Sequence, residues 1–101
     1  PYVMNNAANF NGVNGVRFDG PAANAGIATF GAADVNGDAR DEIFISGNAN
    51  NNSRANSGST FMFFGRATGW SATPYDLNNS TNFNGTNGVR FDGAAAGDYF
   101  G

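Results

Sequence analysis

The segment from Asp34 to Glu42 reads DVNGDARDE and places oxygen-bearing side chains at alternate positions of a turn-forming stretch. Counting Asp34 as the first position, side-chain oxygens recur at the third, Asn36, and at the fifth, Asp38. Arg40 at the seventh position offers its backbone carbonyl, and Glu42 stands at the ninth. Calcium takes about six to eight oxygen ligands, which a tight loop with alternating donors can supply. The spacing therefore predicts a calcium-binding loop.

The residues after this loop predict a strand. Ile43-Phe44-Ile45-Ser46 is rich in β-branched and aromatic side chains, which favour strands over helices. An EF-hand loop would instead need a bidentate Glu at its twelfth position and Gly at its sixth, where this chain has Ile45 and Ala39. A second interpretation stays open, in which the segment is an acidic hairpin turn that binds no metal.

The chain also contains an internal repeat. Residues 1–20 read PYVMNNAANFNGVNGVRFDG and residues 74–93 read PYDLNNSTNFNGTNGVRFDG, so fifteen of twenty positions are identical. We call these segments the N-terminal copy and the C-terminal copy. A fixed period of tens of residues is typical of architectures in which each unit buries its faces on its neighbours. We therefore expect the chain to be part of a longer array.

Composition indicates an all-β fold in one small domain. The 101 residues include 15 glycines and many asparagines, which favour turns and short strands. No window shows a sustained 3.6-residue apolar period, so we expect almost no helix. Five strands are predicted, at Gly15–Asp19, Ile27–Val35, Glu42–Ser46, Thr60–Phe64 and Asn87–Asp92.

The order of these segments favours a β-propeller blade. Between residues 21 and 93 a strand of small residues, the acidic loop, two apolar strands and an alternating strand follow one another. Four sequentially paired antiparallel strands with apolar central strands are expected of a blade packed between two other blades. We accordingly divide the chain into 1–20, the last strand of a preceding repeat, 21–93, one complete repeat, and 94–101, the start of the next.

The run GIATFGAADVNGDARDEIFISG at 26–47, with the later SGSTFMFFG and NGVRFDG, resembles the FG-GAP repeats of integrin-α-like β-propellers, especially their bacterial extracellular versions. The resemblance implies calcium in the loop between the first two strands of a blade. The ligands it implies are Asp34, Asn36, Asp38, the Arg40 carbonyl and Glu42, with Asp41 able to substitute. Ala39 departs from the usual Gly, and a positive φ there would cost roughly 1 kcal/mol.

Several function classes are disfavoured by what the chain lacks. It has no His and no Cys, which removes the commonest general base, thiol nucleophiles and the usual zinc ligands. We therefore expect no enzyme, although paired carboxylates also occur in glycoside hydrolases. The net charge of −3 leaves no basic patch for nucleic acid, and no apolar run approaches a membrane span. Trp70 and Tyr75 are either sugar-stacking or packing aromatics.

Two functions remain after these exclusions. The first is a calcium-stabilised structural or adhesion repeat of an extracellular, cell-surface protein. Its expected partners are identical repeats or subunits arranged head to tail. Surface glycans or proteins are further expected partners. The second is a ligand-binding propeller module accessory to a larger secreted enzyme or receptor. A loop of modest calcium affinity suits the calcium-rich exterior of cells.

Overall fold

The computed structural model of the chain describes residues 6–23, 25–47 and 54–101. These residues form strands β1 Phe18–Asp19, β2 Thr29–Ala33, β3 Glu42–Gly47, β4 Ser59–Phe63, β5 Tyr75–Asp76 and β6 Gly88–Asp92, with 3₁₀ turns at Ala7–Asn9 and Ser80–Phe83. The described part of the chain contains no α-helix, in line with the all-β class predicted from the sequence.

The main sheet has four antiparallel strands in the order β2-β3-β4-β6. Its strands are neighbours in the order in which the sequence predicted them, and their bounds differ from the predicted ones by at most two residues. The predicted strand Ile27–Val35 is shortened to Thr29–Ala33, because Ala33 pairs with Glu42 at the point where the acidic loop begins. The connection between β3 and β4 lies partly outside the described residues.

A second sheet consists of β1 and β5, paired in parallel with Phe18 opposite Tyr75. The Tyr75 N–H donates to the Arg17 carbonyl at 2.9 Å, and the Leu77 N–H donates to the Asp19 carbonyl at 3.0 Å. The predicted strand Gly15–Asp19 is thus reduced to its last two residues. Sequence reasoning did not predict β5, because a two-residue strand after a proline carries almost no periodicity.

The core lies against one face of the main sheet. Because successive side chains point to opposite faces of a strand, Ile43, Ile45, Phe61 and Phe63 share one face, which we call the core face. Ile45, Phe61 and Phe63 are buried there together with Tyr75 and Leu77. The opposite face of the sheet carries Phe44, Thr60, Met62, Val89 and Phe91.

Residues of the N-terminal copy complete this core. The Phe18 ring lies 4.9 Å from the Phe63 ring and 6.4 Å from the Trp70 ring. Val16 also packs against the buried cluster. The end of one copy of the repeat therefore covers the core face of the sheet that follows it in the sequence.

Where both copies are described, they form the same asparagine turns. Asn6 and Asn79 each cap a 3₁₀ turn, with the side-chain oxygen 3.1 Å from the backbone nitrogen two residues ahead. Asn11 and Asn84 each accept from the backbone nitrogens two and three residues ahead. Such asparagine turns are local, so identical sequence gives identical turns wherever it stands.

An ion pair also recurs at the end of each copy. Arg17 Nε lies 2.8 Å from Asp19 Oδ1, and Arg90 Nε lies 3.0 Å from Asp92 Oδ1. The hydrogen bond to the Asp19 carboxylate raises the pKa of Arg17 above its ordinary value. Each arginine therefore forms its ion pair with the aspartate two residues ahead of it in the chain.

Candidate functional site

The acidic loop connects β2 to β3, and its residues 34–41 are all exposed. The β2–β3 ladder closes at the pair Ala33 and Glu42, so the sheet holds both ends of the loop. The predicted site residues consequently lie on a hairpin at one end of the sheet.

The Asp34 carboxylate organises this hairpin. Its Oδ1 accepts from the backbone N–H of Gly37 at 2.7 Å and of Asp38 at 3.2 Å. Its Oδ2 accepts from the N–H of Ala39 at 2.9 Å. A carboxylate that collects backbone N–H groups folds the chain around itself without help from distant residues.

Two residues of the loop adopt left-handed backbone conformations. Gly37 has φ 77° and Ala39 has φ 66°. The positive φ considered for Ala39, where FG-GAP repeats usually have Gly, is therefore present in the structure. Glycine tolerates this conformation, whereas alanine is strained because its Cβ approaches the following carbonyl.

Asn36 and Asp38 lie side by side within the loop. Asn36 Oδ1 accepts from the Asp38 N–H at 3.0 Å, and Asn36 Nδ2 lies 3.5 Å from Asp38 Oδ2. Asp38 Oδ1 in turn accepts from the N–H of Arg40 at 2.9 Å. Two of the predicted ligands are thus neighbours with oxygen atoms at the surface of the hairpin.

Glu42 differs from the other predicted ligands because it is fully buried, with 0% exposure. Its Oε2 accepts from the Val35 N–H at 2.8 Å, and its Oε1 accepts from the Gly65 N–H at 3.4 Å. The side chain therefore ties the acidic loop to the segment that follows β4. No local pattern around Glu42 predicted this second role.

Arg40 and Asp41 complete the loop and approach the same segment. A Cβ on Gly65 would collide with the Asp41 carbonyl oxygen and touch the Arg40 Cβ. Gly65 is required here because only a residue without a side chain lets the two backbones come this close. Both side chains are exposed, and Asp41 adds a carboxylate beside Glu42.

The donor set of the loop suits a hard cation, since it consists of carboxylate, amide and carbonyl oxygens. The carboxylates are nevertheless not gathered around one point: among the described residues, no three His, Cys, Asp or Glu side chains are grouped so that they could hold a metal ion. Asp34 and Glu42 direct their oxygens to backbone N–H groups. The residues present thus fit calcium in chemistry, and binding would require Asp38 and its neighbours to turn inward.

The aromatic pair considered as a sugar platform lies in and beside the core. Tyr75 is 9% exposed, and its hydroxyl accepts from the Ser71 N–H at 2.9 Å. The Trp70 Nε1 donates to the Arg66 carbonyl at 3.2 Å, and the Arg66 guanidinium lies 4.6 Å from the centre of the Trp70 ring. These contacts favour packing over sugar stacking.

Comparison with known proteins adds no assignment, since no family model, curated protein or solved structure matches the chain. Within the described segments, no helix is long and apolar enough to cross a membrane.

Proposed function

We propose that this chain is a non-enzymatic, calcium-stabilised structural or adhesion repeat of an extracellular protein. The observation that carries the proposal is the hairpin from Asp34 to Glu42, whose sequence places oxygen donors at alternate positions of a turn between two paired strands. The location outside the cell is inferred from the modest calcium affinity expected of such a loop.

Calcium would be held by the side chains of Asp34, Asn36 and Asp38, the Arg40 carbonyl, and Glu42 or Asp41. The ion would neutralise carboxylates that otherwise repel one another on a short loop. Because it binds the folded hairpin and not the unfolded chain, it would stabilise the fold by mass action. Calcium at a hundred times its dissociation constant would contribute about 2.7 kcal/mol.

The structural role is supported by the packing between the repeat copies. The N-terminal copy covers the core face of the sheet, through Val16 and Phe18. The four-stranded antiparallel sheet has the strand order of a propeller blade. We accordingly propose that residues 21–93 form one blade of a longer array, either closed as a propeller or extended as a filament.

A second candidate is a ligand-binding propeller module that accompanies a larger secreted enzyme or receptor. It shares the calcium loop and the blade, so the site alone does not separate the two functions. The sequence flanking this chain in its parent polypeptide discriminates them. Further copies at the same period would favour the array, and a catalytic domain would favour the module.

Thermal unfolding with and without calcium tests the metal site. We expect calcium to raise the melting temperature of the chain and chelation to reverse the rise. Asp38→Asn keeps an oxygen that can accept from the Arg40 N–H but removes the charge, so it should abolish the rise. Asp98→Asn is the matched control, because Asp98 is exposed, lies outside the loop and accepts from the Ala95 N–H.

Two results would overturn the calcium assignment. One is a melting temperature of the unaltered chain that does not respond to millimolar calcium. The other is an Asp38→Asn chain that keeps the full calcium response. Either would reduce the segment from Asp34 to Glu42 to an acidic turn held by its own hydrogen bonds.

A further inference from the structure

The N-terminal copy makes three contacts with the segment 70–77. The Phe18 ring stacks on the Tyr75 ring, with centroids 5.5 Å apart. The carbonyls of Arg17 and Asp19 accept the two backbone hydrogen bonds from that segment. The turn at Gly12 lies so close to Trp70 that a Cβ on Gly12 would collide with the Trp70 carbonyl.

The C-terminal copy has the same residues without the first and third of these contacts. Phe91, the counterpart of Phe18, is 45% exposed. Gly85, the counterpart of Gly12, has φ 82° against 83° for Gly12, but a Cβ added to Gly85 would meet no atom within 4 Å. Among the described residues, the Phe91 ring and the turn at Gly85 are therefore less covered than their counterparts Phe18 and Gly12.

The direction of the backbone groups along β6 also matches that of the corresponding residues in the N-terminal copy. Asn87 and Gly93 bond to residues flanking β4, since the Asn87 carbonyl accepts from the Phe64 N–H and the Gly93 N–H donates to the Gly58 carbonyl. In an antiparallel pair the bonding direction alternates along the strand, so Arg90 directs its carbonyl away from β4. Arg90 is the counterpart of Arg17, whose carbonyl accepts from the Tyr75 N–H of β5.

β6 is the last strand of the main sheet, in the order observed among the described residues. The chain that follows it runs beside the segment before β4, because Tyr99 and Phe100 donate to the carbonyls of Asn56 and Ser57 and a Cβ added to Gly101 would touch Ser46. The side of β6 turned away from β4 is thus the edge at which a further strand would add to the sheet.

We propose that this edge of β6, the Phe91 ring and the turn at Gly85 form a docking site for the 70–83 segment of a further copy of the repeat. The incoming Tyr75 lies opposite Phe91, and the incoming Asp76 lies opposite Asp92. The incoming Tyr75 N–H donates to the Arg90 carbonyl. The incoming Trp70 covers the turn at Gly85.

This geometry gives the direction of the array. Val16 and Phe18 of the N-terminal copy pack onto the core face of the sheet that follows. Their counterparts Val89 and Phe91 lie on the opposite face of that sheet, so the opposite face of one repeat meets the core face of the next. Contacts of this kind are heterologous and continue until a ring closes or a filament forms.

The inference rests on the proposed structural repeat and not on calcium. Its test uses the whole chain, labelled with ¹⁵N, and a synthetic peptide of sequence WSATPYDLNNSTNF, which reproduces residues 70–83. We expect the amide signals of residues 84–92 to move as peptide is added, both in calcium and in a chelator. A peptide with alanine at its tyrosine position should bind at least about tenfold more weakly.

The Phe91→Ala chain provides the matched variant, and its own amide spectrum reports whether it is folded. We expect it to lose the response to the peptide. The altered peptide keeps the test valid if this variant fails to fold, because it is measured on the unaltered chain. Absence of any signal change at millimolar peptide would overturn the inference. Changes confined to residues 12–19 would also overturn it, because they would mean that the peptide replaces the chain's own segment 70–77.

Discussion

Phe18 and Tyr75 lie opposite each other in a parallel strand pair, and their rings stack with an interplanar angle of 29°. One residue ends a copy of the repeat and the other begins the next copy. The contact between the two copies is therefore part of the core, and the copies provide matched positions that share their sequence and differ in their surroundings.

Replacing Phe18 should destabilise the chain far more than replacing Phe91. The Phe18 ring touches Phe63 and Tyr75, whereas Phe91 is 45% exposed. We expect Phe18→Ala to lower the free energy of unfolding by about 2–3 kcal/mol, somewhat less than for a fully buried ring. Phe91→Ala should cost less than about 1 kcal/mol. Urea denaturation measures both, and equal costs would contradict the assigned junction.

The glycines of the two asparagine turns should respond differently to alanine. Gly12→Ala and Gly85→Ala each introduce a side chain at a positive φ, at a cost of about 1–2 kcal/mol. Gly12→Ala also drives a Cβ into the Trp70 backbone, which Gly85→Ala does not. Thermal unfolding of the two variants should therefore show the lower melting temperature for Gly12→Ala. The reverse order would mean that the N-terminal turn does not rest on Trp70.

Glycine at position 39 should stabilise the loop. Ala39 has φ 66°, and removing its Cβ relieves strain that exceeds the added entropy of the unfolded chain. We expect Ala39→Gly to raise the free energy of unfolding by about 0.5–1 kcal/mol. Ala32→Gly is the control within strand β2, where glycine should lower that free energy by roughly the same amount. Denaturation in calcium-free buffer would show whether the two changes have opposite signs.

Glu42 should stabilise the fold even without a metal ion. Its buried carboxylate accepts from the N–H groups of Val35 and Gly65, and Glu42→Gln would weaken both bonds. Hydrogen bonds to charged groups contribute about 1.5–3 kcal/mol, so we expect a loss of this order in a chelating buffer. Asp41→Asn changes an exposed neighbour and should stay within about 0.5 kcal/mol of the original chain. A Glu42→Gln chain of unchanged stability would exclude the anchoring role.

The local structure of this protein was predictable from its sequence. The β-branched and aromatic run after Glu42 predicted β3, and the alternating run at 87–92 predicted β6. Asparagine turns depend only on residues two or three positions apart, so the same turns form in both copies. The positive φ of Ala39 was anticipated only through the FG-GAP resemblance, in which Gly is usual at this position.

Only the tertiary structure decided which distant segments meet. The pairing of β1 with β5 joins two-residue strands that carry no periodicity, and it depends on the aromatic core that forms around Phe18 and Tyr75. The burial of Glu42 likewise depends on Gly65, which comes from beyond β4 to donate its N–H. Local sequence sets backbone preference and turn geometry, whereas burial and long-range hydrogen bonds depend on partners that no short window contains.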